Sequence, residues 1–221
     1  MKMKLESMVL TMVVAVIFTS CEKDNITGRG TVQTETREVG AFTKVSVEGS
    51  TDIHITQGNS FKVSVKAYDN LLPYLVTYVE NGALVVKYEH TANVRNDNSE
   101  VFITMPVLEG LSTKGSGDID VKGAFEHTPF FDASISGSAD ISIENAVAEK
   151  LQLSISGSGD FNSFGFSIKE ADVKISGSGD VEITVNEKLK AKISGSGNIY
   201  YKGDPAVIDD NISGSGKLVQ K

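Results

Sequence analysis

Apolar and polar residues alternate through most of the C-terminal half of this chain. Val173, Ile175, Gly177, Gly179, Val181, Ile183 and Val185 share one parity, and Lys174, Ser176, Ser178, Asp180, Glu182 and Thr184 share the other. Leu151, Leu153, Ile155, Gly157, Gly159 and Phe161 do the same one copy earlier. A period of two belongs to strands with one face buried. The pattern is also repeated as a block: G-S-G-D-I-D-V from Gly115, I-S-G-S-A-D-I-S-I from Ile135, I-S-G-S-G-D-F from Ile155, I-S-G-S-G-D-V-E-I from Ile175, I-S-G-S-G-N-I from Ile193 and I-S-G-S-G-K-L from Ile212. Its central serines fall at 116, 138, 158, 178, 196 and 215, in steps of 22, 20, 20, 18 and 19 residues. A weaker copy, V-E-G-S-T-D-I-H-I, starts at Val47. A period near twenty in strand-type sequence predicts coils stacked into a solenoid. The glycines fall at inward positions, where a missing side chain lets the backbone turn a narrow corner or bulge. In-phase Val, Ile and Leu on both sides argue against a flexible Gly-Ser linker.

Sixty-six residues separate Gly49 from Gly115, about three coil lengths. Phe61, Val63, Val65 and Ala67 alternate as a strand, and the Leu-Leu-Pro within Asp69 to Tyr74 predicts a turn or one helical turn. Asn81-Gly82, between apolar runs, is a strong two-residue hairpin signal. Val101 to Met105 reads as a strand closed by Pro106, and His90 to Glu100 as a polar loop. The stretch belongs to the same domain, as regular coils or as an antiparallel cap.

The N-terminal segment has a different character. Lys2 and Lys4 precede an apolar run of 11 residues, Met8 to Phe18, and Phe18-Thr19-Ser20-Cys21 ends it. Eleven residues are too few to span a bilayer core, which needs roughly 20. The segment resembles a bacterial lipoprotein signal with its lipobox, with Phe18 where that pattern usually has Leu. The resemblance implies a signal peptide over residues 1–20, Cys21 as the lipidated residue, and an anchor in the membrane through the N-terminal lipid. Residues 21–34 are polar and read as a tether, with the folded domain over 35–221. Glu22-Lys23-Asp24 resembles the acidic stretch that follows the lipid cysteine in surface-exported lipoproteins of Bacteroidetes.

Charge and composition remove several functions. Without Lys2, Lys4 and Glu6 the chain from Cys21 has 19 basic and 28 acidic residues, a charge of −9. Such a surface argues against nucleic acid as a partner. Cys21 is the only cysteine, so neither a disulfide framework nor a thiolate metal site is available. Trp is absent, which weakens the case for a sugar-stacking platform. No cofactor is implied.

The sharpest candidate site is a surface ladder. Asp118, Asp140, Asp160 and Asp180 hold one outward position in four successive copies, followed by Asn198 and Lys217. Coils about 4.8 Å apart would make neighbouring carboxylates repel by about 1 kcal/mol in water and ~3 kcal/mol at an effective dielectric of 20. The offset expected is hydrogen bonding to the backbone amides of each residue's own Gly corner; a row of cations is the alternative. Two serine ladders, 116/138/158/178/196/215 and 136/156/176/194/213, suggest hydroxyls bonded along the stack rather than nucleophiles, because no His follows Ser136 to act as base. His54, His90 and His127 have no metal-ligand spacing. Arg29, Arg37 and Arg95 are the only arginines and lie outside the strong repeat, which tells against an enzyme that grips acidic glycans. At the last copy, Lys217 and Lys221 are expected to discourage edge pairing.

Several further stretches carry a family resemblance: Arg37-Glu38-Val39-Gly40-Ala41-Phe42, Asp52-Ile53-His54-Ile55-Thr56-Gln57-Gly58, Asn70-Leu71-Leu72-Pro73-Tyr74-Leu75, Gly82-Ala83-Leu84, Met105-Pro106 and the Gly-Ser-Gly-Asp series. Over about residues 30–221 the chain resembles the head GIN domain family of auto-transporter adhesins. The resemblance implies a β-solenoid on an envelope protein and supplies no catalytic residues. The expectation is an all-β chain: a parallel β-solenoid, right-handed and β-helix-like, with an N-terminal strand-rich section. It would sit in the cell envelope, at the outer membrane, as an adhesin or scaffold for a glycan or protein ligand. A glycan-active β-helix enzyme and an envelope signalling accessory are the rival classes.

Overall fold

Residues 24–89 and 92–221 are described in the computed structural model, and among them there is no helix. The first half supplies β1 (Asp24–Thr27), β2 (Val32–Arg37), β3 (Lys44–Gly49), β4 (Asp52–Gln57), β5 (Lys62–Tyr68), β6 (Leu75–Glu80), β7 (Ala83–Tyr88), β8 (Ala92–Arg95), β9 (Glu100–Met105) and β10 (Gly110–Gly115). The repeats form β11 (Ile119–Gly137), β12 (Ile141–Gly157), β13 (Phe161–Gly177) and β14 (Val181–Gly195), then β15 (Ile199–Lys202), β16 (Val207–Gly214) and β17 (Leu218–Gln220). Successive repeats pair in parallel along nearly their whole length, and the stack makes a solenoid of about six turns.

Each coil has three sides. The Ser-Gly-Ser corner separates one strand from the next, and parity breaks mark two further bends. In β12 the adjacent residues Glu144 and Asn145 both face outward, and so do Glu149 and Lys150, while the residues between and around them alternate. The first side holds 119–122, 141–144, 161–164 and 181–184. A short second side follows, and the third holds 130–137, 150–157, 170–177 and 188–195.

The core is built of columns in register. Ile135, Ile155, Ile175 and Ile193 stack directly on one another, each at most 2% exposed. Beside them run Leu111, Ala133, Leu153, Val173 and Ala191. The corner that permits this is glycine by necessity. Gly157, Gly177 and Gly195 have φ of 133–139°, and a Cβ on any of them would strike the carbonyl oxygen of the glycine one coil below.

The N-terminal section is both coil and cap. The weak copy is a true coil: β3 pairs with β10 so that Gly49 faces Gly115, and β4 pairs with the start of β11 so that Ile53 faces Ile119. The intervening chain goes to the far side. There β7 and β9 add another parallel layer on β3 and β4. Antiparallel β6 and β5 flank that layer, and β2 closes it. The Asn81-Gly82 hairpin forms as expected, with φ of 50° and 77°.

Two expectations are corrected. Residues 24–27 and 32–34, within the stretch read as a tether, are strands. The loop expected over residues 90–100 contains β8, which pairs in parallel with β1. Neither stretch buries an alternating face, so neither carries the apolar signal of a strand. The signal peptide and Cys21 lie outside the described residues.

An inward position of the last coil carries a charge. The column ending in Val173 and Ala191 continues to Asp210, on β16. Anything stacked on this coil would bury an unpaired carboxylate, a device that keeps sheet edges from pairing. At the same end of the stack the Lys221 Nζ lies 4.5 Å from the Tyr200 ring centroid. Asp210→Leu should therefore raise concentration-dependent self-association, measured by sedimentation velocity. A monomeric variant at every concentration would remove that role. Ile175→Ala should cost about 2–5 kcal/mol in urea unfolding, whereas Ser176→Ala, on the opposite parity, should stay within about 0.5 kcal/mol.

Candidate functional site

The aspartate row lies where each Gly corner opens onto the first side. The Asp140 backbone N–H donates to Asp118 Oδ1 at 2.8 Å, that of Asp160 to Asp140 Oδ1 at 2.8 Å, and that of Asp180 to Asp160 Oδ1 at 2.7 Å. The row extends both ways: Asp118 N–H donates to Asp52 Oδ1 at 3.1 Å, and Asn198 N–H to Asp180 Oδ1 at 2.7 Å. The backbone ladder resumes one residue later. Ile141 N–H donates to the Asp160 carbonyl and Phe161 N–H to the Asp180 carbonyl, each at 2.9 Å. At the corner, then, a carboxylate rather than a carbonyl accepts the aspartate amide.

This corrects the expected bonding. The donor belongs to the next coil, not to the residue's own Gly corner, because the side chain points along the stack. Asn198 also donates its side-chain amide to Asp180 Oδ1 at 3.0 Å. Among the described residues no group of three or more His, Cys, Asp or Glu side chains is placed to hold a metal.

The serine ladders are held differently from expectation as well. Ser158, Ser178 and Ser196 bond through their backbone N–H to the glycine carbonyl one coil below, each at 2.9 Å. Hydroxyl-to-hydroxyl bonds between coils fall beside the predicted ladders, at Ser134 to Ser112 (2.9 Å) and at Thr51 with Ser99 (2.8 Å).

A shallow groove of about 390 Å³ opens beside the aspartate row, bordered by Asp52, His54, Asp118, Asp120, Asp140 and Ser142. Asp120 accepts the Ser142 hydroxyl at 2.9 Å and lies 3.2 Å from Lys122 Nζ. His54 stacks on Phe102 with ring centroids 4.9 Å apart, and its Nε2 is 3.4 Å from Glu100. Lys66 donates to Glu100 at 2.8 Å. That hydrogen bond, aided by the charges of Lys66 and His54, holds the Glu100 carboxyl below its usual range. The wall is thus an array of oxygen acceptors with one aromatic edge. His54 is the one histidine drawn into it; His90 and the His127 side chain lie outside the described residues. Sequence reading missed Phe102, whose only signal was parity with His54 on a neighbouring coil.

Residues 41–205 match the model of the family described as "Putative auto-transporter adhesin, head GIN domain". Among solved structures, a "putative adhesin" from Bacteroides fragilis is 21% identical, with a TM-score of 0.74, over 89% of this chain and 100% of its own. A "putative lipid binding protein" from Parabacteroides distasonis is 23% identical, with a TM-score of 0.60, over 90% and 100%. A "putative adhesin" from Parabacteroides merdae is 22% identical, with a TM-score of 0.57, over 90% and 99%. At these identities the likeness is one of fold. No curated protein matches the chain.

Asp140→Ala should cost about 1 kcal/mol, because the Asp160 amide loses its acceptor. Asp140→Asn keeps an acceptor oxygen and relieves repulsion with two neighbours, so it should be neutral or stabilising in thermal unfolding. Equal loss in both variants would mean that charge, not the acceptor, holds the corner. Glu100 supplies a pH signature. Its depressed folded pKa contributes stability above the unfolded value near 4.3. That contribution is lost as pH falls through the lower folded value. Lys66→Met should reduce the loss of stability between neutral and acid pH, read from urea midpoints.

Proposed function

Because this chain belongs to the head GIN domain family of auto-transporter adhesins, we propose that it is a non-enzymatic, lipid-anchored binding module of the cell envelope. Cys21 is the lipidated residue in this reading, and the outer membrane is the site of attachment. The observation that carries the binding role is the regular outer surface. Parallel coils hold polar side chains in register, row after row, over about six turns. The described aspartates of the ladder spend one oxygen each on a backbone amide, which suits a rigid display surface better than acid–base chemistry. An extended glycan or protein strand lying along the stack would meet the same groups at every coil.

The anchoring half is tested by Cys21→Ala. The variant should leave the membrane pellet or accumulate as unprocessed precursor. A processed protein that still partitions with membranes would remove the lipid anchor. The binding half is tested by the attachment of cells with and without the protein to surfaces coated with glycans or matrix proteins. Equal attachment on all of them would remove the adhesin role.

A further inference from the structure

The third side carries five lysines over β11 to β14, and three of them, Lys150, Lys188 and Lys190, are balanced. One outward row reads Lys150, Glu170, Lys188, and the next reads Asp172, Lys190, Asp209, so each charge faces its opposite. Lys150 lies 3.5 Å from Glu170 and Lys190 3.5 Å from Asp172. The following row breaks the rule. It reads Ser134, Ser154, Lys174, Lys192, Asn211. Lys174 and Lys192 are the one lysine pair in direct register among the described strands, and like charges so placed weaken a sheet. Lys174 reaches Asp172 only at 3.9 Å. Lys192 has no ion pair among the described residues. The two border a trough of about 540 Å³, whose other polar walls are the serines of their own row, Ser134 and Ser154, and of one neighbouring row, Ser136, Ser156, Ser176 and Ser194.

We propose that this trough binds an acidic linear polysaccharide, a chain of uronate sugars running along the stack, with its carboxylates on Lys174 and Lys192. The inference rests on the binding-module reading above and gives it a site and a ligand class. A protein with a net charge of −8 gains nothing for its fold by setting two cations side by side. An anion bound across them supplies the missing partner. An ammonium group is a compact point charge and takes a carboxylate from any direction. The serine hydroxyls donate and accept, as sugar hydroxyls do, and recur every ~4.8 Å. Four coils span about 14 Å at that spacing, room for a short run of sugars. The trough holds no aromatic side chain on which bases could stack, so a nucleic acid does not fit it. Asp172 is the internal competitor, because it is the carboxylate nearest to Lys174.

The test uses the full chain in detergent micelles and calorimetric titration with oligogalacturonate, neutral dextran, dextran sulfate and poly-glutamate. Oligogalacturonate should bind saturably, more weakly as salt rises, and dextran should not bind. Lys174→Gln with Lys192→Gln should lower the affinity tenfold or more. Asp172→Asn should raise it severalfold, a gain that misfolding cannot mimic. Equal binding of dextran, or an unchanged affinity in the double variant, overturns the proposal. So does tighter binding of dextran sulfate or poly-glutamate, which would assign the trough to sulfate esters or acidic peptides. If oligogalacturonate fails while cells bearing the protein still attach better than cells lacking it, this inference falls and the adhesin reading stands. If both fail, both fall.

Discussion

The stack depends on how closely one Gly corner lies on the next. The carbonyl oxygen of each corner glycine occupies the space that a Cβ on the glycine one coil on would need. The second glycine of the block is equally tight. A Cβ on Gly179 would meet the carbonyl of Gly159 and the Ile155 side chain. At this separation the corner amides reach the glycine carbonyls below them, as Ser178 reaches Gly157. At the first glycine every copy has hydrogen alone, while one copy fits Ala139 at the second, so the first glycine acts as a ruler. It sets the spacing of the coils, and the strands on either side follow it in register.

Register has a cost on the outside of the molecule. Whatever stands at one position is repeated about 4.8 Å away, so a charged position becomes a charged row. The protein answers in two ways. The aspartate row gives each carboxylate a backbone donor from the next coil. The rows through Glu170 and Asp172 alternate in sign. At Lys174 and Lys192 neither answer is used. A surface that solves the same problem correctly in adjacent rows makes the unsolved place informative.

Much of this was legible in the residue pattern, for a physical reason. Burial of one strand face writes itself as alternation, and the narrow corner writes itself as glycine, so β12, β13 and β14 could be read directly. The Asn81-Gly82 turn was equally readable, because both of its residues need positive φ. Pairing across long separations leaves no such trace. Nothing local to Val47 says that its strand lies on β10 rather than on its sequence neighbours. The polar strands β1 and β8 bury no continuous face, so their pairing was invisible. The aspartate position was found but its donor was not, since parity says which side a residue faces and not which amide it reaches. Likewise Lys188, Lys190 and Lys192 are visible as an alternating run, but the identity of the residue beside each one is a matter of register.

The spatial order of the coils differs from their order along the chain, and this bears on how the molecule assembles. From β11 onward each coil finds its template about twenty residues back, so closing each turn costs little entropy and the stack can zip up locally. The strands β3 and β4 instead lie on β10 and the start of β11, beyond an excursion that must itself fold over their far side. In a chain that emerges from a ribosome or a translocon N-terminus first, these strands appear early and wait for their partners. The end of the solenoid nearest the start of the chain is therefore completed from a surface made later. Until β7 and β9 emerge β3 and β4 are unpaired strands, and their other edges then wait for β10 and β11; their outward residues, such as Ser46, Glu48, Asp52 and His54, keep them polar on one face.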